Sequence, residues 1–318
     1  FFFHPPPATP DPLWSRGLGD VYKRQPLDLL SELNSPQRDA VESIDGPLLI
    51  VAGPGSGKTK VITSRIAYLV KTCGVSPHRI AALTFTNKAA KEMMSRLLPM
   101  LGRESERISA STFHSFCATI LRRSGEIIGL PNDFIIFDDD DQINTIKRAM
   151  VETEIDPKRF SPRAILSSIS NAKSQLIGIE GLSSKKNNYY EEIVVRVFER
   201  YEEILSRSSA TDFDDLLLKT HSLFENHPEV LKRYQERFVY LMVDEFQDTN
   251  VAQYEIAKQI SRNHKNICVV GDPDQSIYSW RNADIRNILS FQQDFPGSKT
   301  VSLEENYRST QTILDGAK

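Results

Sequence analysis

The sequence is poor in cysteine and in long apolar runs, and each shortage excludes a class of protein. Its three cysteines lie far apart and its six histidines form no ligand-spaced pair with them, which excludes a disulfide framework and a zinc module. No apolar run approaches the roughly 18 residues of a membrane span, and no basic region followed by an apolar stretch opens the chain. We therefore expect a cytoplasmic protein that is neither exported nor inserted in a membrane.

The sequence also lacks a large excess of charge of either sign. Thirty-nine lysine and arginine residues face 42 aspartate and glutamate residues, a net charge of −3, so a polyanion must be held by local groups. Hydrophobic residues make up 40% of the 318, which excludes global disorder. At roughly 150 residues per domain, this length predicts about two domains.

The two ends of the sequence differ from its interior. The chain begins with Phe1, and its first methionine is Met93. Residues 1–26 are rich in proline, show no helical or strand periodicity and contain a stretch, RGLGDVYKRQ, that resembles a translated sequencing adapter. We expect 1–26 to be a disordered or artefactual tail and the chain to be cut at both ends.

Short apolar runs that alternate with helical periodicity predict the fold class. Such runs are typical of the buried strands of a parallel sheet that helices cover on both faces. They lie at 47–52, 80–85, 108–111, 238–243, 267–270 and 300–303. Residues from about 120 to 210 carry helical patterns and few strands. The sequence therefore predicts an α/β protein with a doubly wound parallel sheet and an inserted all-helical subdomain.

Two local signals predict where helices begin. Ser35 followed by Pro36 is typical of a helix start, with the serine hydroxyl as the N-cap. The acidic run 138–141 lacks the glycine and glutamate of a calcium loop. We interpret it as the N-cap and first turn of a helix, where negative charge is favourable.

Residues 52–59, AGPGSGKT, have the spacing of a phosphate-binding loop between a strand and a helix. The glycines let backbone N–H groups turn toward phosphate oxygens, and the N-terminus of the following helix adds positive potential. Lys58 can reach the terminal phosphates, and Thr59 can ligate Mg²⁺. The residues predicted to bind the nucleotide here are Gly53, Gly55, Ser56, Gly57, Lys58 and Thr59.

A pair of carboxylates follows the apolar run 238–243. Asp244 would hold Mg²⁺ through water, and Glu245 would orient and deprotonate the attacking water. Because a kinase that transfers phosphate to a hydroxyl needs no water base here, the glutamate favours hydrolysis over transfer. A kinase or an ATPase unrelated to nucleic acid is the alternative that these two motifs leave open.

Eight short motifs occur in order along the chain. They are LNSPQRDAV (33–41), AGPGSGKT (52–59), LTFTNKAAKEM (83–93), STFHSF (111–116), DFDDLL (212–217), VDEFQDTN (243–250), GDPDQSIYSWRNAD (271–284) and LEENYRST (303–310). Together they resemble the superfamily 1 DNA helicases of the UvrD/Rep/PcrA type. The resemblance covers 27–318 and implies a RecA-like ATP-binding lobe with a helical insertion. In this interpretation the lobe comprises 27–119 and 211–298, the insertion is 120–210, and 299–318 begins a truncated second lobe.

The resemblance implies further nucleotide contacts. Gln37 has the position of the family's adenine-reading glutamine, and Tyr307 that of the ring on which adenine stacks. Gln275 has the position of a sensor of the terminal phosphate, and Arg308 that of an arginine that reaches this phosphate from the second lobe. The expected catalytic residues are Lys58, Asp244, Glu245, Gln275 and Arg308.

The resemblance also places single-stranded DNA on aromatic rings and small polar groups. Base stacking on such rings contributes ~1 to 3 kcal/mol per base and depends little on sequence. Trp280 is the only tryptophan outside the tail, and Asn282 stands near it where many family members have glycine. The expected DNA contacts are Phe85, His114, Tyr278, Trp280 and Arg281.

The resemblance predicts the ATP-binding half of a 3′-to-5′ DNA helicase with ATP and Mg²⁺ as cofactors. Its expected partners are single-stranded DNA, duplex junctions and repair or replication proteins. On its own such a half is expected not to unwind DNA. The alternatives are the helicase part of a helicase–nuclease recombination enzyme and an ATP-gated single-stranded DNA-binding protein.

Overall fold

A computed structural model describes residues 29–184, 188–275 and 286–307. The tail expected at 1–26 lies outside these ranges. Within them, no helix is both long enough and apolar enough to cross a bilayer.

The described strands form one large parallel sheet and one small one. They are β1 (Leu48–Ala52), β2 (Ile80–Thr84), β3 (Ser109–Thr112), β4 (Ile135–Ile136), β5 (Ala210–Thr211), β6 (Tyr240–Val243), β7 (Ile267–Gly271) and β8 (Lys299–Leu303). The large sheet has the order β3-β2-β6-β7-β1-β8, and all its neighbours pair in parallel. Its six strands arise from the six apolar runs, so the predicted parallel sheet is confirmed.

The helices cover both faces of the large sheet or build the insertion. They are α1 (Ser35–Glu42), α2 (Lys58–Lys71), α3 (Asn87–Leu101), α4 (Phe113–Ser124), α5 (Asp139–Glu152), α6 (Pro162–Ser174), α7 (Ile179–Ser184), α8 (Tyr189–Arg207), α9 (Phe213–Asn226), α10 (Pro228–Arg237), α11 (Val251–Ser261) and α12 (Arg286–Asp294). Successive strand residues point to opposite faces. Leu48 and Ile50 accordingly pack with α1–α3, whereas Leu49 packs with α4 and α9–α12. The sheet is therefore doubly wound.

Side-chain caps decide where two helices begin. Asn34, not Ser35, is the N-cap of α1, because its Oδ1 accepts the Gln37 N–H at 2.9 Å. The Gln37 side chain in turn accepts the Asn34 N–H, which completes a capping box. Asp138 caps α5 in the same reciprocal way with Asp141. The helical interpretation of the acidic run is thus confirmed, and the start of α1 lies one residue earlier than predicted.

The insertion has an apolar core of its own, built from α5, α6 and α8 around side chains such as Ile169 and Phe198. The sequence predicted an all-helical insertion, but two short strands, β4 and β5, pair in parallel where the insertion joins the lobe. These strands lie where the chain enters and leaves the insertion. At this junction the backbone groups of the entering and leaving segments form hydrogen bonds with each other. One example is the bond that the Phe137 N–H donates to the Thr211 carbonyl at 2.9 Å.

The last strand corrects a predicted boundary. The second lobe was expected to begin at 299, yet β8 pairs with β1 along its whole length, from Lys299 beside Leu48 to Leu303 beside Ala52. Val301 and Leu303 are buried in the core beneath α1 and α2. Because β8 forms its backbone hydrogen bonds with β1 and packs its apolar side chains in the core of the first lobe, it belongs to that lobe.

Candidate nucleotide site and DNA-facing edge

The carboxyl ends of the parallel strands bring most of the predicted site residues to one edge of the sheet. The phosphate-binding loop 53–57 follows β1, and Asp244 and Asp272 follow β6 and β7. Phe85 and His114 follow the neighbouring strands β2 and β3. In open parallel sheets this edge forms the ligand-binding crevice. The strand order therefore places the nucleotide residues and the expected DNA residues side by side on the same edge.

Two glycines shape the phosphate-binding loop. Gly55 and Gly57 have φ angles of 73° and 87°, a region that other residues adopt only under strain. A Cβ atom at Gly57 would also lie 3.0 Å from the Gln37 amide nitrogen. Because α2 begins at Lys58, the positive end of its dipole points into the loop, where a phosphate would lie.

Lys58 lies at the centre of a polar cluster. Its Nζ atom is 3.4 Å from Glu245 Oε2 and 3.9 Å from Asp272 Oδ2, and it donates to Gln275 Oε1 at 3.5 Å. The structure thus brings together three residues that the sequence predicts to be catalytic: Lys58, Glu245 and Gln275. A cavity of about 220 Å³ adjoins them, and its walls also include Ser56, Thr59, Tyr307 and Arg96. Neither Arg96 nor Asp272 was predicted from the sequence: Arg96 lies three residues beyond the motif 83–93, and Asp272 has no distinctive pattern of its own within the motif 271–284.

Asp244 is a buried carboxylate, 5% exposed, at the end of β6. Burial, and to a lesser extent the neighbouring charge of Glu245, raise the pKa of Asp244 to about 7. The ionised carboxylate therefore lowers the stability of the folded state, an effect that develops as the pH rises from 3.8 to about 7. Among the described residues, no basic side chain forms a salt bridge with it. A buried carboxylate that forms no salt bridge fits a divalent cation.

Gln247, which was not predicted as a site residue, positions Glu245. Glu245 has a φ angle of 51°, a strained value for a residue with a side chain. Gln247, 2% exposed, donates to Glu245 Oε2 at 2.9 Å and accepts the Asp272 N–H at 3.0 Å. Gly271 leaves room for this amide, because a Cβ atom there would lie 3.0 Å from its oxygen. Gln247 thus ties the end of β6 to the end of β7.

The two residues predicted to contact adenine both contact the phosphate-binding loop. Gln37 is 3% exposed, and its Nε2 donates to the Ser56 carbonyl at 3.0 Å. The Tyr307 N–H donates to the Gly55 carbonyl at 3.0 Å, while its ring remains 60% exposed. Asn34 Nδ2 donates to the Tyr307 hydroxyl at 2.7 Å. α1 and the end of β8 therefore frame the loop from two sides.

The edge of the sheet that carries the expected DNA contacts also has an exposed aromatic ring that was not predicted from the sequence. Phe213, the first residue of α9, is 44% exposed, and its ring lies 6.0 Å from that of His114 at an interplanar angle of 82°. Thr84 and Thr112 pair in register, so Phe85 and His114 follow the ends of adjacent strands by one and two residues. The motif DFDDLL contains Phe213 but shows no reason to prefer it over its neighbours.

Four predicted site residues lie outside the described part of the chain. Tyr278, Trp280 and Arg281 belong to the same motif as Gln275, and Arg308 follows Tyr307 directly. Their roles in DNA binding and phosphate contact stay predictions.

A buried charge cluster joins the insertion to the lobe. Lys173 on α6 is fully buried, and its Nζ lies 2.8 Å from Asp212 and 2.7 Å from Asp215, with Glu202 of α8 beside them. The Tyr201 hydroxyl donates to Asp212 at 3.0 Å. Burial lowers the pKa of Lys173, but the three carboxylates outweigh it and hold this pKa well above its usual value. The carboxylates could hold a metal ion, yet the Lys173 ammonium already lies among them.

The parallel sheet, the phosphate-binding loop and the carboxylates after β6 define a P-loop nucleotide-binding protein. The model of the UvrD/REP helicase N-terminal domain matches residues 33–296, so the chain belongs to the UvrD/REP helicase family. It is 51% identical over 289 residues to the ATP-dependent DNA helicase PcrA of Staphylococcus epidermidis strain RP62A. It is 50% identical over 289 residues to the ATP-dependent DNA helicase PcrA of Staphylococcus aureus strain Mu50. Each match covers 91% of this chain but 40% of the relative, so the chain spans about two fifths of the length of these curated relatives.

Proposed function

We propose that this chain is the ATP-binding part of a DNA helicase that hydrolyses ATP with Mg²⁺ and binds single-stranded DNA. The observation that carries the proposal is the convergence of Lys58, Glu245 and Gln275 at one cavity beside the phosphate-binding loop. The relatives, which are named ATP-dependent DNA helicases, support the same activity.

Each side chain at the cavity has its own task in hydrolysis. The loop N–H groups and Lys58 would bind the terminal phosphates, and Thr59 and Asp244 would hold Mg²⁺. The ion would supply neutralisation of the charge that develops on the phosphate oxygens. Lys58 has two partners in this scheme: in the structure its ammonium pairs with Glu245 at 3.4 Å, and with nucleotide bound it would pair with the terminal phosphates. An incoming terminal phosphate attracts Lys58 and leaves Glu245 free to accept a proton from water.

Glu245→Gln is expected to keep nucleotide binding and to lose hydrolysis, because an amide has the shape of the carboxylate but is a poor base. Removing a general base lowers turnover about 10²- to 10⁴-fold. The measurements are the Kd for ATP by titration and single-turnover release of phosphate. Glu126→Gln, at an exposed position, is the matched control. A variant that still hydrolyses ATP at the control rate would show that Glu245 is not the base.

Single-stranded DNA is proposed to follow the β2–β3 side of the sheet edge. With a net charge of −3, the chain has no overall positive charge to attract a polyanion, so we expect aromatic stacking to contribute much of the affinity. Phe85, His114 and Phe213 bring three rings to this side.

Phe213→Ala is expected to weaken binding of single-stranded DNA by ~1 to 3 kcal/mol. Because a ring and not a charge is removed, the salt dependence of binding should stay the same. The measurement is fluorescence anisotropy of a labelled oligothymidine at several salt concentrations. Tyr189→Ala, which removes a ring that is 59% exposed on the insertion, is the control. Equal affinities of the two variants would contradict the proposed path.

The finer assignment concerns the whole protein and rests on family membership. We propose 3′-to-5′ movement, action at junctions of single-stranded and duplex DNA, and a cytoplasmic role in repair or replication with proteins of those processes as partners. Strand displacement by the whole protein on substrates with a 3′ or a 5′ overhang tests the direction, and unwinding from the 5′ overhang alone would reverse it.

A further inference from the structure

Arg65 on α2 is a buried arginine whose partners are backbone carbonyls. It is 1% exposed, and its guanidinium donates to the carbonyl of Ala40 at 2.8 Å and to that of Ile44 at 3.0 Å. A longer bond of 3.4 Å reaches Val41. Among the described residues, no carboxylate forms a salt bridge with Arg65. Its charge is stabilised by the carboxyl end of α1, where helix carbonyls lack partners of their own.

The other end of α1 carries Gln37. The eight residues of α1 span about 12 Å. This short helix therefore connects the carbonyls that accept from Arg65 with the Gln37 amide that is expected to bind the base. Gln37 donates to the Ser56 carbonyl at 3.0 Å, and Gly57 has no room for a side chain against it. α1 is therefore fastened at both ends to the unit formed by the phosphate-binding loop and α2.

Arg65 and Lys58 lie two turns apart on the same helix. The helix α2 thus holds Lys58, which is expected to bind the terminal phosphates, at a constant distance from Arg65, which anchors α1. We propose that Arg65 is a positioning residue for base recognition: it sets the distance between the phosphate-binding loop and Gln37 and thereby determines the preference for adenine over guanine. This inference rests on the proposed function, ATP binding, and on the adenine-reading role that the resemblance implies for Gln37.

The chemistry of the two bases explains why position matters. An amide donates to one group and accepts from another, which matches the N7 acceptor and the amino donor of adenine. Guanine presents two acceptors at this edge, so Gln37 can satisfy one of them. Both adenine bonds must be formed at once, and a shift of α1 weakens them together. The phosphates are bound by the loop and Lys58, which α1 contacts through Gln37 and not through the carbonyls that Arg65 holds. We therefore expect a change at Arg65 to alter phosphate affinity far less than base preference.

Arg65→Lys keeps the charge but loses the planar fork that spans two carbonyls. We expect the ratio of the Kd for GTP to that for ATP to fall about fivefold, the equivalent of one hydrogen bond. The Kd for inorganic tripolyphosphate, which has no base, should stay within about twofold of its original value. Arg38→Lys is the matched control, since Arg38 is an arginine of α1 with a single exposed bond to the Leu30 carbonyl.

A double-mutant cycle separates positioning from general stability. Gln37→Ala alone should abolish the base preference, and adding Arg65→Lys should lower it no further, because Arg65 acts through Gln37. An unchanged preference in Arg65→Lys would overturn the inference. So would an equal loss of affinity for ATP, GTP and tripolyphosphate, which would reveal a purely structural role.

Hydrogen exchange and nucleotide binding, both measured on the unaltered chain, complete the test even where a variant does not fold. ATP, but not tripolyphosphate, should slow amide hydrogen exchange in α1 as far as the segment held by Arg65. Equal slowing by both ligands, or by neither, would overturn the inference. Failure of the unaltered chain to bind ATP or tripolyphosphate would instead contradict the proposed function, whereas binding of both without a preference for ATP over GTP contradicts base reading by Gln37.

Discussion

Replacing Lys173 with alanine is expected to lower the free energy of unfolding by about 3 to 5 kcal/mol, the usual effect of breaking a buried ion pair from one side. The variant leaves Asp212, Asp215 and Glu202 facing one another. Lys219, at 2.9 Å from Asp215 and 3.3 Å from Glu202, becomes their remaining cation. Urea denaturation followed by circular dichroism at pH 8 measures the difference.

The pH dependence of this destabilisation has a definite sign. Burial raises the pKa of Asp215, but Lys173 and Lys219 outweigh it and hold this pKa below its usual value. The stabilisation from the ionised carboxylate is therefore present above its unfolded pKa of 3.8 and is lost only as the pH falls toward the lower folded value. Without Lys173 the buried carboxylates take up protons at a higher pH. The difference between the variant and the original chain should thus shrink from pH 8 to pH 5.

Two further variants check this account of Lys173. Lys232→Ala removes an exposed lysine that lies 3.9 Å from Glu236, and it should change stability by no more than about 0.5 kcal/mol. Adding Asp212→Asn to Lys173→Ala should recover part of the lost stability, because one uncompensated charge is removed. If the free energies of unfolding lost in Lys173→Ala and in Asp212→Asn simply added in the double variant, the two residues would not form one charge cluster.

Lys58→Ala is expected to weaken ATP binding by about 1.5 to 3 kcal/mol, which is roughly tenfold to more than hundredfold. The ammonium is the one lysine at the cavity that lies within 4 Å of both Glu245 and Asp272 among the described residues. Its loss removes the charge that faces the terminal phosphates. Titration with a fluorescent ATP analogue in the presence of Mg²⁺ provides the Kd.

The fold should tolerate Lys58→Ala better than Lys173→Ala. Glu245, the nearer of the two carboxylates that lose this ammonium, is 36% exposed, so water can solvate it. Asp272 is 3% exposed, but it lies 3.9 Å from Lys58 and still accepts hydrogen bonds from the Asp274 N–H and the Gln275 amide. Lys71→Ala, at the far end of α2 and paired with Glu104 at 3.0 Å, should bind ATP normally. Unchanged affinity in Lys58→Ala would show that nucleotide binds elsewhere on the chain.

The sequence predicted the parts of the nucleotide site that are local. A phosphate-binding loop consists of consecutive residues between a strand and a helix, and Asp244 and Glu245 directly follow their strand. Parallel strands end at one edge of a sheet, so the order of motifs along the chain already implied that these groups meet. Gln37 and Tyr307 contact the loop, and the adenine contacts that the resemblance implies for them stay predictions.

Residues without a local pattern could not be found in this way. Arg65 lies on a helix that carries other charged residues, and Phe213 is one of several residues in an acidic motif. Periodicity shows that a helix exists but does not show which of its polar side chains is buried against another element. Gln247 likewise acts through two partners on different strands, which no spacing along the chain reveals.

By itself the sequence determined the α/β class, the parallel strands, the phosphate-binding loop and the family, because each depends on short-range patterns or on ordered motifs. Only the tertiary structure decided that β8 joins the first sheet beside β1, since every strand offers the same backbone hydrogen bonds and its apolar pattern does not name a neighbour. Only the tertiary structure brought Lys173 to Asp212, 39 residues away, and Arg65 to Ala40, 25 residues away. The energies of such buried polar contacts depend on distance and burial in space, which neither composition nor periodicity encodes.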